Sequence, residues 1–325
     1  MRLIDSFGRK INYLRLSVTD RCNLRCSYCM PHDGILKRPH GDVLSYEELF
    51  TIARASVEIG IEKIRITGGE PLVRKEIVPF LSRLSAIPGL RQLVLTTNGV
   101  LLDEMALPLR DAGVQRLNIS LDSFRPETFA RITRRSDHAR VLNGIKAAEE
   151  AGFPIKLNAV VMRGVNDDEL LEFAAMTIGR NITVRFIEYM PAIKEQGWQK
   201  LVVPGDEIIG RIGARYPLSR VEQGELAGPA REFRIDGAEG TVGIITPLSS
   251  HFCGECNRIR VTSAGMARSC LFSDSETDLK PYLAGDDSTR LIEALRSIVG
   301  AKPGSHRLSL EESDHNAFTM AAIGG

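Results

Sequence analysis

The chain has 325 residues, which exceeds the length of a typical single domain, about 100–200 residues, and predicts two packed units. Its 43% hydrophobic and 26% charged residues, without low-complexity tracts, exclude a disordered chain, a collagen-like chain and a coiled coil. The 42 basic and 41 acidic residues leave a net charge of +1, so the overall charge predicts neither a nucleic acid nor an acidic membrane as partner. We see no signal-peptide core and no long apolar run, and we therefore expect a cytoplasmic protein, either monomer or homodimer, with no membrane contact.

Up to about residue 190, short apolar runs alternate with amphipathic patterns that end at a glycine. The predicted strands are 12–18, 62–67, 91–97, 115–121, 155–162 and 182–189. The predicted helices are 46–59, 101–112, 137–151 and 167–178, and the first begins with the capping-box spacing of Ser45 and Glu48. This alternation is typical of βα units that build a parallel sheet.

The number of βα units decides between the parallel α/β architectures. Six units are too few for a closed eight-stranded barrel, so we predict an α/β fold with a partial (β/α)6 TIM-like barrel. A doubly wound sheet is the alternative, and in both folds the carboxyl ends of the strands line the site. After Pro191 the alternation lapses into a loop at 224–228, a strand at 257–262 and a helix at 286–298. We therefore predict a core domain over residues 1–194 and a smaller mixed domain over residues 195–325.

The six cysteines form two triplets, and the first follows the first predicted strand. Cys22, Cys26 and Cys29 have the spacing CxxxCxxC within one loop. Three thiolates favour a cubane iron–sulfur cluster, which keeps one iron open for a small-molecule ligand. A zinc site normally has four protein ligands, so zinc would need a further residue such as His32. A redox thiol pair is the third possibility.

The second triplet, Cys253, Cys256 and Cys270, again supplies three thiolates, with His251 as a candidate fourth ligand for zinc. This triplet predicts a second cluster in the C-terminal domain.

Arginines lie beside both triplets. Arg258 and Arg260 are two residues apart on a predicted strand and therefore project to the same side. Arg15 precedes the first triplet, and Arg65 precedes the Gly68-Gly69 pair at the end of the second predicted strand. Arginines grouped in an otherwise neutral chain indicate a local anion site, most simply for phosphate.

The cysteine spacing after the first strand of a six-unit βα chain resembles that of the radical S-adenosylmethionine enzymes. Within that superfamily, the chain resembles the GTP 3′,8-cyclase family over residues 4 to 325. The strings that carry this resemblance are FGRKINYLRLSVTDRCNLRCSYCMP, IRITGGEPLVRKEI, TTNG, RLNISLDS, IKLNAVVMRGVNDDE, RFIEYMP, CNRIRVT and the terminal IGG.

The resemblance implies two [4Fe-4S] clusters, one on each triplet, with S-adenosylmethionine as the further cofactor. It implies a lyase that forms a 5′-deoxyadenosyl radical, removes hydrogen from C3′ of GTP and makes (8S)-3′,8-cyclo-7,8-dihydroguanosine 5′-triphosphate. That reaction is the first step of molybdenum cofactor biosynthesis. The implied partners are GTP as substrate, an electron donor, and a cyclic pyranopterin monophosphate synthase that takes the product.

The resemblance also implies roles for individual residues. The positions matched to S-adenosylmethionine contacts are Tyr28, Gly69, Ser120 and Met190, and the alternation of the strand places Asp122 on the face of Ser120. The positions matched to GTP contacts are Arg15, Arg65, Thr96, Lys156, Arg258, Ile259 and Arg260. The catalytic positions are Arg15, Arg258, Arg260, Gly324 and Gly325. The segment Phe318 to Ala322 departs from the family pattern because it lacks the arginine expected before the terminal glycines.

Two other functions are compatible with parts of the sequence. One is another radical S-adenosylmethionine enzyme with an auxiliary cluster, such as a maturase, although those enzymes usually carry more C-terminal cysteines. The other is a zinc protein that binds nucleic acid through its arginines. The near-zero net charge counts against the second, because nucleic-acid binding relies on many clustered cations.

Overall fold

The computed structural model describes residues 3–31, 34, 39–190, 196–273, 275–285, 288–306, 308 and 320. Six strands pair in parallel and in chain order: β1 (Tyr13–Ser17), β2 (Lys63–Thr67), β3 (Gln92–Thr97), β4 (Arg116–Ser120), β5 (Ile155–Val161) and β6 (Thr183–Glu188). All six lie within one residue of the predicted strand ends or inside them. The unbroken order confirms the partial barrel and excludes the doubly wound alternative, in which the strand order reverses.

Helices follow these strands along the chain. They are α1 (Tyr46–Glu58), α2 (Ile77–Ser85), α3 (Leu102–Asp111), α4 (Pro126–Thr133), α5 (His138–Glu150) and α6 (Leu170–Ala175). The capping box at Ser45 and Glu48 is present, because each side chain accepts a hydrogen bond from the other residue's backbone N–H. Gly113 and Gly152 follow α3 and α5 with φ of +84° and +71°, the left-handed conformation in which a helix ends.

The sheet presents chemically different faces. Leu14, Leu16, Ile64 and Ile66 are fully buried in the main hydrophobic core, which includes apolar residues of the helices. The residues that alternate with them carry charge, as Arg15 does between Leu14 and Leu16. Because successive side chains on a strand point to opposite faces, a core on one face leaves polar residues on the other. The interior of the barrel is therefore polar.

The C-terminal part of the chain extends the same sheet at both edges. Its elements are α7 (Gly205–Gly213), β7 (Leu218–Val221), β8 (Arg231–Ile235), β9 (Thr241–Ile245), β10 (Arg258–Val261), β11 (Met266–Arg268), β12 (Thr277–Asp278) and α8 (Thr289–Gly300). β9 pairs in parallel with β6, and β10 pairs in parallel with β1. β7, β8, β11 and β12 continue outward as antiparallel strands. In the described part of the chain this makes a 12-stranded sheet.

The predicted domain boundary after residue 194 lies outside the described residues, which resume at residue 196. It stays a prediction, and both segments contribute strands to one sheet. Among the described residues, no helix combines the length and the apolar character needed to cross a membrane.

Candidate active site

A cavity with a volume of about 290 Å³ contains side chains of both cysteine triplets. Its walls come from eight parallel strands and the loops at their carboxyl ends, as expected for a barrel of this type. The pairing register brings Arg15 opposite Arg65 on one side and opposite Arg260 on the other. The lining cysteines and arginines are Cys22, Cys26, Cys29, Cys253, Cys256, Cys270, Arg15, Arg65, Arg185, Arg258 and Arg260.

The Gly68-Gly69 pair holds the loop that leads into the first triplet. The backbone N–H of Gly69 donates to the carbonyl of Thr19 at 2.8 Å, and that of Glu70 donates to the carbonyl of Arg21 at 2.8 Å. A Cβ at Gly69 would lie 2.4 Å from the Arg21 carbonyl oxygen, closer than real Cβ atoms approach. The amide of Gly69 is therefore used inside the protein. Its carbonyl oxygen is the group left for a ligand.

A buried carboxylate ties the third strand to the same loop. Glu70 accepts hydrogen bonds from the backbone N–H of Leu72 at 3.0 Å and of Asn98 at 2.6 Å, and from the Thr97 hydroxyl at 2.9 Å. Burial raises the pKa of Glu70 to about 7 despite these bonds. The Asn98 amide lies 3.8 Å from the Cys22 sulfur. Glu70 and Asn98 therefore position the first triplet. The Glu70 carboxylate is used in these hydrogen bonds and is not free to contact a substrate.

The first triplet suits a cluster better than a single ion. The three cysteines line one cavity. Burial raises the pKa of Cys26, and the neighbouring thiols of Cys29 and Cys22 raise it further. A tetrahedral zinc ion would hold its sulfurs about 3.8 Å apart. Among the described residues, neither triplet has all its ligand atoms within 4.8 Å, so the donor set fits a polynuclear centre. His32 lies outside the described residues.

The residues matched to S-adenosylmethionine contacts line the cavity beside the first triplet. They are Tyr28, Gly69, Ser120 and Met190. The Tyr28 hydroxyl donates to Asp122 Oδ2 at 2.8 Å, and the Val160 N–H donates to Asp122 Oδ1 at 2.8 Å. Burial raises the pKa of Asp122 to about 6. Asp122, which sequence reasoning placed at a ligand, has both carboxylate oxygens engaged by the protein and fixes Tyr28.

The second triplet lies in a more cationic environment. Burial raises the pKa of Cys256, but Arg258 and Lys302 together lower it to about 6. A guanidinium nitrogen of Arg258 lies 3.9 Å from the Cys256 sulfur. The Lys302 ammonium donates to the carbonyls of Arg258 at 2.9 Å and Ser269 at 2.6 Å. Sequence reasoning missed Lys302, because it lies 32 residues beyond Cys270 and no local motif marks it.

His251 lies beside Cys253, as the spacing suggested, and His306 joins them. His306 was not expected there. Burial and then the nearby His251 lower the pKa of His306 to about 4.

The cationic wall of the cavity has polar groups that the protein leaves unpaired. In the residues described, the Nε atoms of Arg15 and Arg65 and the hydroxyl of Thr96 are buried without a hydrogen-bond partner. Burial lowers the pKa of Arg15, and the charges of Arg260 and Arg65 lower it further. Burial and then Arg258 lower the pKa of Arg260 to about 10. Buried donors and like charges of this kind fit a bound polyanion.

Sequence reasoning missed two further basic side chains near the arginines. Arg185 lines the cavity, whereas Lys63 lies outside its lining and donates to the carbonyl of Leu226 at 2.8 Å. Arg185 on β6 donates to Asn158 Oδ1 at 3.0 Å and Asn118 Oδ1 at 2.5 Å. A Cβ at Gly243, its partner on β9, would lie 2.8 Å from the Arg185 side chain, so the glycine makes room for it. Burial and then Arg65 lower the pKa of Lys63 to about 6. A charge inside an otherwise apolar strand is the signal that could have identified them.

Two residues matched to GTP contacts are placed differently from the arginines. Lys156 lies outside the cavity lining and pairs with Glu232 at 2.7 Å. The Ile259 side chain is buried in the hydrophobic core, so that position can contribute only its backbone. Gly324, Gly325 and most of the Phe318 to Ala322 segment lie outside the described residues, although Met320 lines the cavity.

Comparison with known proteins matches residues 16–177 to the radical SAM superfamily and residues 182–308 to the family model described as Molybdenum Cofactor Synthesis C. A curated relative named GTP 3′,8-cyclase from Geobacter sulfurreducens is 68% identical over 326 residues, covering 100% of both chains. One with the same name from Moorella thermoacetica is 46% identical over 323 residues, covering 99% of both.

Solved structures agree with the fold. Streptococcus suis SuiB has a TM-score of 0.60 at 13% identity, over 90% of this chain and 69% of that chain. The same protein bound to S-adenosylmethionine has a TM-score of 0.58 at 14% identity, over 88% of this chain and 68% of that chain. At such low identity the likeness concerns the fold alone. The family follows from the curated relatives, which match this chain over its full length. The cavity, with two cysteine triplets and a wall of arginines, is consistent with that assignment. The chain belongs to the GTP 3′,8-cyclase family of the radical S-adenosylmethionine superfamily.

Proposed function

We infer that the chain catalyses the cyclisation of GTP to (8S)-3′,8-cyclo-7,8-dihydroguanosine 5′-triphosphate, the first step of molybdenum cofactor biosynthesis. The observation that carries this inference is the single cavity that holds both cysteine triplets and five arginines. A zinc protein that binds nucleic acid would not need its cysteines and arginines gathered inside a barrel. The relatives named GTP 3′,8-cyclase support the same reaction.

The two triplets would each hold one [4Fe-4S] cluster, with one iron of each left open by the protein. When bound, the clusters and S-adenosylmethionine would supply one electron and the 5′-deoxyadenosyl radical that removes hydrogen from C3′ of GTP and lets C3′ bond to C8, and a second electron from the donor and a proton would complete the product. The protein then has to bind the cofactor and GTP, orient them and enclose them.

At the first triplet, the chain orients the cofactor through groups fixed by the barrel. At the cavity wall the Gly69 carbonyl can accept a hydrogen bond, and the Ser120 hydroxyl can accept or donate one. Met190 and Tyr28 supply apolar surface for an adenine ring. Tyr28 is held by Asp122, so its position is set before a ligand binds. Preorganisation of this kind reduces the entropy lost on binding.

At the opposite wall, the arginines bind the triphosphate. Arg15, Arg65 and Arg260 lie side by side on three neighbouring strands, and Arg258 links them to the second triplet. Thr96, Lys156 and the backbone at Ile259 complete the proposed GTP contacts. A nucleotide held by its phosphates here and by its guanine at the second triplet has C3′ fixed between the two centres, which supplies most of the orientation the reaction needs.

The remaining assignments follow from the family. Gly324 and Gly325 would reach the cavity and act in catalysis with Arg15, Arg258 and Arg260. A one-electron donor would reduce the first cluster, and a cyclic pyranopterin monophosphate synthase would take the product. We propose a cytoplasmic monomer or homodimer.

The reaction is tested with the anaerobically reconstituted chain, GTP, S-adenosylmethionine and dithionite. GTP that carries deuterium at C3′ is expected to label the 5′-deoxyadenosine, and a nucleotide isomeric with GTP is expected to accumulate. ATP serves as the control nucleotide and is expected to give no cyclised product. If 5′-deoxyadenosine forms without the label, or if no isomer of GTP accumulates, the inference is wrong.

A further inference from the structure

Three side chains from separate parts of the chain form a compact donor set at the rim of the second triplet. They are His251 after β9, Cys253 before β10 and His306 after α8, and their ligand atoms all lie within 4.8 Å of one another. Nδ1 of His251 lies 2.9 Å from Nε2 of His306. Among the described residues, no other group of three or more His, Cys, Asp or Glu side chains is gathered this closely.

The donor set is held in place by its surroundings. The His306 ring packs between the rings of His251 and Phe272, with centroid distances of 4.2 Å and 4.4 Å. Arg9 donates to the Cys253 carbonyl at 2.7 Å and to the carbonyls of Gly304 and Pro303 at 3.1 Å and 2.7 Å. Arg9 thus joins the loop of Cys253 to the segment that carries His306. The three donors therefore remain together without an ion to gather them.

The chemistry of the set is that of a zinc site. Thiolate and imidazole are the usual zinc ligands, and the ligand atoms of a tetrahedral zinc ion lie about 3.3–3.8 Å apart. Three protein ligands leave a fourth position for water. His251 is exposed and Cys253 and His306 are half-buried, so an ion can enter from solvent.

We propose that the chain binds one zinc ion at Cys253, His251 and His306 before its second iron–sulfur cluster is assembled. Cys253 is common to both sites, so zinc and the second cluster exclude each other. Zinc at this site holds the chain in a state that lacks the second cluster, and removal of zinc allows assembly. This inference does not depend on the proposed reaction with GTP.

The test separates this site from zinc bound by the cysteine triplets. The test uses a full-length variant in which Cys253 is the one remaining cysteine. Its substitutions are C22A, C26A, C29A, C256A and C270A. It is expected to bind one equivalent of zinc, with one sulfur and two nitrogen neighbours by X-ray absorption. Adding H251A or H306A is expected to weaken binding at least about 100-fold, more than loss of an outer-shell partner costs. S250A, which changes the exposed neighbour of His251, is the matched control and is expected to bind as before.

A second arm keeps all three cysteines of the second triplet, in case the five-substitution chain does not fold. In the C22A/C26A/C29A chain, H251A is expected to weaken zinc binding, whereas C256A/C270A is expected to leave it unchanged. The reverse result, with binding lost in C256A/C270A and kept in H251A, would place zinc in the triplet and overturn the proposal.

The competition for Cys253 gives an independent readout. One equivalent of zinc added to the cluster-free wild-type chain before reconstitution is expected to lower bound iron from about eight to about four atoms. In H251A the same treatment is expected to leave about eight. If zinc lowers the iron content equally in both chains, the two histidines do not form the site.

Discussion

At the scale of single residues, the cavity gathers arginines from three neighbouring strands. Arg15 lies between Arg65 and Arg260 in the pairing register, and burial lowers the pKa of all three. Burying like charges together is unfavourable unless an anion accompanies them. A triphosphate supplies that charge and hydrogen-bond acceptors together. The clustered arginines therefore favour binding of the triphosphate.

Arg65→Met tests one contact of this wall without touching either triplet. A charge-assisted hydrogen bond contributes about 2 kcal/mol, so we expect the KM for GTP to rise about thirtyfold. Bound iron should stay at about eight atoms, because Arg65 does not contact a cysteine. Arg83→Met removes an exposed arginine that pairs with Glu47, and it should leave the KM unchanged. An Arg65→Met enzyme with the parental KM would remove Arg65 from the GTP site.

Lys63 predicts a proton linkage to nucleotide binding. Burial and then Arg65 lower its pKa to about 6, so the amine is mostly neutral at pH 7 in the free chain. Lys63 lies on the same face of β2 as Arg65, two residues away, so a triphosphate bound at Arg65 raises this pKa and binding then takes up as much as one proton. Affinity should be independent of pH below about 6 and should fall as pH rises above it, by up to about tenfold per pH unit.

Calorimetry in buffers of different ionisation enthalpy measures this uptake directly. Lys63→Met should abolish it. Lys146→Met changes an exposed lysine on α5 that pairs with Glu150 and should retain the uptake. Equal uptake in the parent and Lys63→Met chains would assign the proton to another group.

At the scale of elements, the ends of β1, β2 and β3 are joined into one unit around the first triplet. Gly69 lets the loop after β1 approach the loop after β2, and Glu70 joins both to the turn at Asn98. Cluster geometry depends on this contact, because the cysteines follow directly from the loop that Gly69 binds. Glycine is required here by space, since any Cβ would meet backbone atoms that cannot move independently.

Gly69→Ala should therefore disrupt the first cluster selectively. The added Cβ would lie 2.4 Å from the Arg21 carbonyl oxygen, and overpacking of this kind costs about 1–3 kcal/mol. We expect bound iron to fall from about eight to about four atoms, with the second cluster retained. Gly210→Ala on α7 meets no atom within 4 Å and should keep full iron content. Full iron in Gly69→Ala would show that the loop can move aside.

The sequence predicted what is local and missed what depends on tertiary contact. Strand positions are local, so β1 to β6 agree with the prediction, and both cysteine triplets lie on one cavity. The pairing of His251 with His306 and the bonds of Lys302 to the carbonyls near Cys256 join segments that only the fold brings together. Gly69 is a further example. The Gly68-Gly69 pair indicates a close approach of two backbone segments, but it does not indicate that the Gly69 N–H donates to the Thr19 carbonyl.

At the scale of the whole molecule, the C-terminal segment extends the barrel at both edges. β10 covers the open edge of β1, and β9 covers the open edge of β6. Trp198 is fully buried in a cluster that includes Met162 from the first segment and Leu248 from the second. Both segments also contribute to the anion site, since Arg15 comes from the first segment, Arg260 comes from the second, and both line one cavity. Neither segment holds the complete site.

This division predicts that residues 1–194 do not fold alone, even though they hold all six βα strands. Without β9 and β10, the edges of β1 and β6 present unpaired backbone groups, and exposed parallel edges promote aggregation. We expect this fragment to be insoluble or to lack first-cluster iron, measured by soluble yield, circular dichroism and iron content. A chain ending at residue 308 keeps all the strands described and should stay soluble with about eight irons. A soluble fragment with native circular dichroism and about four irons would instead make residues 1–194 an independent domain.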